Sequence, residues 1–336
     1  MPDPDGGIAG APGEGAVVRA VVAEGPGGPG TLRVRRVPDP WPGPGQVRIS
    51  VACANVAFLD TALRAGRPFG PRMAFPYVPG NGVGGVVDKV GAGVDPGWRG
   101  ARVVSVTGGS GGYAEFALAR DTDLHRVPGG LTMAEATALL GDGRTALGVH
   151  RSGKARAGET VVVTAAAGGV GGLLVQLAAA SGTRVIALAG SEAKLAHAVA
   201  LGAHAAVEYR GDGWAGRLRD LAPDGLDVVF DGVGASVTAE LLPLTRAGGR
   251  YVRHGAAGGR LADLDENAVH GKEIVPLFAI GRTPEQLFPL VAEALALASA
   301  GRLLVTVGQT FPLAEAAAAH AAIEARATVG KTLLLP

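Results

Sequence analysis

Cysteine is almost absent: Cys53 is the single one in 336 residues. An internal disulfide is therefore impossible, and a reducing, cytoplasmic setting is expected. Charge is sparse as well. Charged residues make up 18 % of the chain, the net charge is +1 at pH 7, and no long basic run occurs. This argues against a surface built for nucleic acid. His and Cys form no metal-ligand cluster, and Cys53 lacks partners for a catalytic or a four-thiolate zinc site; a small core residue on a strand is its simpler reading. Residues 1–15 lack the charged-then-apolar order of a signal peptide. Rich in Gly, Pro and acid, they read as a disordered N-terminal extension.

What is present is apolar bulk. Hydrophobic residues make up 47 % of the chain, enough for a substantial core, and the length suits two ordinary domains. One stretch, Val161 to Thr183, carries no charge at all, which raises a membrane span. Strand-forming valines at its start and four central glycines break that reading. The run Val161-Val-Val-Thr-Ala-Ala-Ala-Gly-Gly-Val-Gly-Gly172 instead predicts a buried strand, a tight turn and a helix start. That arrangement offers unpaired N–H groups and the positive end of a helix dipole to a pyrophosphate. Ala166, Gly168, Gly169, Val170 and Gly171 are the candidate cradle, with alanine where the first glycine of the usual pattern stands.

From Ala16 to about Arg126 short alternating segments separated by Gly and Pro predict strands of a barrel or sandwich. After Pro128 the pattern changes. Thr132 and Glu135 form a capping box. Strands at 160–164, 184–188, 227–230 and 250–253 then alternate with apolar helices at 172–181 and 192–201. Such alternation predicts a right-handed parallel sheet. Strands at 303–307 and 331–335 around a helix at 313–324 return the chain to the first regime. The expected organisation is an α/β protein with a β-rich domain (16–139 and 281–336) interrupted by a dinucleotide-binding domain (140–280).

Six motifs occur in order: Pro79-Gly80, Gly112-Tyr-Ala-Glu115, Gly143-Arg-Thr-Ala146, Ala165-Ala-Ala-Gly-Gly-Val-Gly171, Asp227-Val-Val-Phe-Asp-Gly-Val-Gly234 and Arg326-Ala-Thr-Val-Gly-Lys331. In that order they resemble the zinc-independent quinone oxidoreductase branch of the medium-chain dehydrogenase/reductase superfamily, over nearly the whole chain from about Val17. The resemblance implies a GroES-like β-barrel substrate domain, a Rossmann doubly wound parallel-sheet domain and an active site in the cleft between them. It implies hydride transfer from NADPH to a quinone, an enone or enal, or an enoyl thioester, and a homodimer pairing near Val275–Ala279.

The residues themselves speak to the cofactor. A carboxylate after the second Rossmann strand binds the ribose 2′-OH and repels a 2′-phosphate. Here Arg184-Val-Ile-Ala-Leu-Ala-Gly190 ends without one, and Ser191 and Lys194 come next. A hydroxyl and an ammonium suit a phosphate dianion, so NADP is expected; a plain helix cap with a solvated lysine is the alternative, and Glu192 is a counter-signal. The resemblance adds Tyr209 against the same phosphate and Thr145 at the nicotinamide. It places Val233, His254, Gly255, Leu277, Phe278 and Ala279 along the cofactor cleft. His254 has an equally simple reading as a strand-end histidine.

On the substrate side the resemblance also exposes losses. The family's usual asparagine falls on Ala57, a frequent tyrosine on Ala62, and an acidic residue on Gly82. A wider, more apolar pocket is expected. Asn55 and Arg144 are the remaining polar candidates for the reaction, Arg144 reading equally as an ion-pair partner of Asp142. Tyr77 and Tyr113 read as packing residues with satisfied hydroxyls. Two other functions stay open: an enoyl-thioester or polyketide-tailoring reductase, and a noncatalytic NADPH-binding sensor or accessory protein.

Overall fold

The computed structural model describes residues 16–67, 72–264, 266–276 and 283–336. The expected extension at 1–15 and the expected switch of regime at Gly281 lie outside them.

Six parallel strands form one sheet. In chain order they are Thr160–Val163, Arg184–Ala189, Ala205–Glu208, Leu226–Asp231, Thr245–Arg253 and Glu273–Val275. Their order across the sheet is 3-2-1-4-5-6, all parallel. The strand order reverses beside the first strand, which opens a crevice at the carboxyl ends. Val161, Val162 and Val163 are all fully buried. Burial on both faces explains why this strand reads as a continuous apolar run without alternation. The uncharged stretch is thus a strand and the helix Gly169–Ala180, and no helix among the described residues is long and apolar enough to cross a membrane.

A second sheet has seven strands, drawn from residues 46–126 and 307–335. Its long strand Gln46–Val56 pairs antiparallel with Val83–Val90, Phe116–Arg120 and Lys331–Leu335. Register shifts between Arg48 and Ile49 and between Val51 and Cys53 bend it, as bulges do. The fold is a GroES-like sheet joined to a Rossmann sheet. The sheets meet where Gly330 N donates to Ala167 O at 2.7 Å.

Some boundaries differ from the expectations. The first Rossmann helix begins at Gly169 instead of Gly172, because Gly168 holds the extended N-cap conformation (φ −80°, ψ 171°). The strand expected at 303–307 is not one. Leu304 N donates to Gln176 Oε1 at 2.7 Å and Leu304 O accepts from Gln176 Nε2 at 2.9 Å, so a side chain holds this backbone in place of a ladder. Pairing starts at Val307 and runs to Pro312. The expected helix 313–324 is a 3₁₀ turn, Leu313–Glu315, followed by the helix Ala316–Glu324. The capping box forms as expected: Glu135 N donates to Thr132 Oγ1 at 3.2 Å and Thr132 N to Glu135 Oε2 at 2.9 Å.

Candidate active site

A cavity of about 590 Å³ lies where the two sheets meet. Its floor is the glycine turn. A Cβ on Gly171 would overlap Ala165 O, and one on Gly169 would overlap Asp142 Oδ2. Glycine at these positions answers to the protein itself. Gly168 differs: its Cβ would stand 3.3 Å from Ala165 O, tight but without overlap. Gly168, Gly169 and Val170 line the cavity at the helix N-terminus, the setting that binds phosphate. Ala166 and Gly171 lie off its wall. Ala166 is fully buried and packs in the core.

Beyond the second strand, Gly190, Lys194, Tyr209, Arg210 and Arg326 form one end of the cavity. Lys194 Nζ donates to Arg326 O at 2.6 Å. Burial, with Arg210 and Arg326 adding to it, lowers the Lys194 pKa. Three cations converge where the carboxylate that selects NAD would stand. Ser191 is placed otherwise than expected. It occupies the N-cap of the helix Glu192–Ala200 without a side-chain cap bond, and it lies off the cavity wall. Arg210 lines the cavity in its stead, beside Gly190, and the sequence signal was its place next to Tyr209. Arg326 stood in a recognised motif but without a role.

Asn55, Arg144, Thr145 and His254 also line the cavity. Thr145 Oγ1 donates to Gly141 O at 2.7 Å, which leaves its oxygen free to accept. His254 Nε2 is sealed from solvent with no partner among the described residues, and burial pushes its pKa down, keeping the ring neutral. Gly255 lines the cavity beside it. Val233 does not; it is buried in the core with Trp214 and Tyr251. Leu277, Phe278 and Ala279 lie outside the described residues. Asn55 is buried, and its Oδ1 has no partner among the described residues. Ala57 and Gly82 line the cavity as well. Ala62 is buried off the wall, in the helix Phe58–Arg64.

Arg144 makes no hydrogen bond or contact ion pair with Asp142, although the Asp142 charge acts on it from a distance. Asp142 Oδ1 accepts from Lys331 Nζ at 3.0 Å instead.

Sequence reasoning also missed a buried network. Asp60, on the cavity wall, accepts from Ala57 N at 2.8 Å and from Tyr113 OH at 3.3 Å. Tyr113 OH meets His320 Nε2 at 3.0 Å. Burial pushes Asp60 up to about 6 and His320 down to about 3. Tyr113 is thus a satisfied packing residue, whereas Tyr77 OH has no partner among the described residues.

Comparison with known proteins agrees with this geometry. A model of the alcohol dehydrogenase GroES-like domain matches residues 43–129, and one described as zinc-binding dehydrogenase matches 201–334. The quinone oxidoreductase of Rattus norvegicus is 32 % identical over 313 residues, 92 % of this chain and 95 % of the rat protein. The chain belongs to the zinc-independent quinone oxidoreductase branch of the medium-chain dehydrogenase/reductase superfamily. Within that family, a 2-haloacrylate reductase of a Burkholderia species is 33 % identical over 95 % of this chain and 99 % of its own length. A mycobacterial protein solved in complex with NADPH superposes with a TM-score of 0.87 at 35 % identity, covering 95 % of this chain and 100 % of the mycobacterial one. The residues present do not suit a zinc ion, despite the name of the second matched domain. Cys53 is buried and alone, and no three His, Cys, Asp or Glu side chains converge among the described residues.

Proposed function

We propose that this protein is an NADPH-dependent oxidoreductase that passes hydride to a quinone or to the C=C bond of an α,β-unsaturated carbonyl. One observation carries the reading. A single cavity joins a phosphate-binding helix start, a cation triad of Lys194, Arg210 and Arg326, and an apolar wall with few polar groups. The 2-haloacrylate reductase, the rat quinone oxidoreductase and the NADPH-bound mycobacterial relative support it.

NADPH, when bound, supplies the hydride. Gly168, Gly169 and Val170 would present backbone N–H groups to its pyrophosphate, and Lys194, Arg210 and Tyr209 would hold its 2′-phosphate. Thr145, whose hydroxyl oxygen keeps a free lone pair, would hold the nicotinamide end. Neutral His254 closes the cleft without adding charge. The substrate's carbonyl oxygen gains negative charge as hydride arrives, and Asn55, on the cavity lining, would supply a side-chain N–H to that oxygen. Hydride adds to one carbon of the C=C bond and a solvent proton to the other. We also propose a homodimer joined through Glu273–Val275, the edge strand of the parallel sheet; light scattering giving twice 33.5 kDa is expected.

The test is NADPH oxidation, followed by absorbance, against quinones, enones, 2-haloacrylates and enoyl thioesters, with NADH in parallel. Turnover of a quinone or enone with preference for NADPH is expected. Tight NADPH binding without turnover of any of these would favour the noncatalytic role, and turnover of thioesters alone the tailoring role.

A further inference from the structure

Arg144 opens the helix Arg144–Gly153, directly after a π-helical turn, Leu139–Gly143. Such turns insert an extra residue and re-aim the side chains after them. Arg144 lines the cavity, whose lining also includes Val106, Leu140 and Leu287. It is partly buried, and it makes no hydrogen bond or ion pair among the described residues. Burial lowers its pKa and the charge of Asp142 opposes that, but Asp142 Oδ1 accepts its hydrogen bond from Lys331 Nζ. The neighbouring His125 stacks on Phe288, 3.9 Å between centroids. Burial and then the charge of Arg144 push His125 down to about 4, so it too is neutral at pH 7. A guanidinium drawn out of water without an anion is costly. An arginine always keeps its charge and presents a planar fork of donors that matches a carboxylate. The cofactor's phosphates have their own donors on other elements, at Gly168–Val170 and at Lys194, Arg210 and Arg326.

We propose that Arg144 is a specificity residue that seats a carboxylate of the substrate, making the reductase selective for acidic α,β-unsaturated compounds over neutral ones. This rests on the reductase reading above and narrows its substrate class. The guanidinium forms a bidentate pair with the carboxylate, keeps its charge throughout, and takes no part in the hydride or proton transfer.

The experiment compares 6-oxohept-4-enoate with its methyl ester; two methylenes insulate the carboxyl group from the enone, so the hydride-accepting bond is the same with and without the charge. In the wild type kcat/KM is expected to favour the acid about 10- to 100-fold, the range of a charge-assisted pair. R144Q should lower kcat/KM for the acid by about that factor more than for the ester, and R144K should lie between. Equal use of acid and ester by the wild type overturns the proposal. So does an R144Q enzyme that loses both equally while its NADPH Kd rises tenfold, since Arg144 would then serve the cofactor. Binding of the saturated acid 6-oxoheptanoate and of its methyl ester to the NADP-loaded protein is measured by calorimetry alongside. Acid-selective binding that depends on Arg144, without turnover of any acceptor, keeps this site and sinks the reductase reading. Turnover of esters and quinones without acid preference does the reverse. Should R144Q not fold, R144M is read by the same ratios.

Discussion

Lys331 Nζ stands 3.0 Å from Asp142 Oδ1, with side chains only 6 % and 15 % exposed. Lys331 belongs to the GroES-like sheet, while Asp142 lies in the π-turn and against Gly169 at the head of the first Rossmann helix. One ion pair therefore joins the two sheets at the floor of the cavity.

Asp142→Ala leaves the Lys331 ammonium buried and unpaired. A loss of roughly 3–5 kcal/mol is expected, read from urea unfolding. Adding Lys331→Met to it should recover more than about 1 kcal/mol of that loss. Additive losses would show that the two residues act separately.

The glycines of the turn should separate binding from folding. Gly168→Ala meets only Ala165 O at 3.3 Å, so its Tm should stay within about 2 °C of wild type, while NADPH Kd rises at least about tenfold as the Cβ enters the phosphate's space. Gly171→Ala overlaps Ala165 O and should lower stability by about 1–3 kcal/mol. Scanning calorimetry and cofactor titration check the pair. Equal Tm losses would refute the distinction.

Lys194→Glu replaces one cation of the triad with an anion. NADPH Kd should rise about 100-fold, the scale of a lost charge-assisted bond plus repulsion, and NADH Kd by less than about threefold. A parallel change for both cofactors would place Lys194 elsewhere than at the 2′-phosphate.

His320 sets a pH dependence. It is fully buried, and its folded pKa of about 3 lies below the ordinary histidine value of 6.5. Above 6.5 the ring is neutral in both states, and its contribution to stability is fully present. As pH falls, the unfolded chain takes up a proton that the folded one refuses, and stability falls until about 3. His320→Gln should therefore show a flatter stability curve between pH 6.5 and 4, by up to about 1.4 kcal/mol per unit. Coincident slopes would mean that His320 titrates alike in both states.

Much of the scaffold was legible because its signals are local. Valine runs, the glycine turn and the missing acid after Ala189 act over a few residues, where sterics and charge act directly. The site was legible only in part. Arg144, Asn55, Thr145 and Lys194 reach the cavity, but Ser191, Ala166, Gly171 and Val233 do not. Ser191 and Lys194 are three apart, and only the helix start decides which of them turns inward. The Gln176 clasp on Leu304 could not be read, since it joins residues 128 apart.

The chain by itself determined which stretches are strands buried on both faces, where the phosphate turn lies and that no acid opposes a 2′-phosphate. Each comes from backbone sterics, burial periodicity or the charge of neighbouring residues. Only the tertiary structure decided which charges are satisfied. It gave Asp142 to Lys331, 189 residues away, and left Arg144 without a hydrogen-bonded or ion-paired partner among the described residues. It also hid Asp60 beside Tyr113 and His320. Pairing and burial depend on what the fold brings near, and no local pattern encodes that distance.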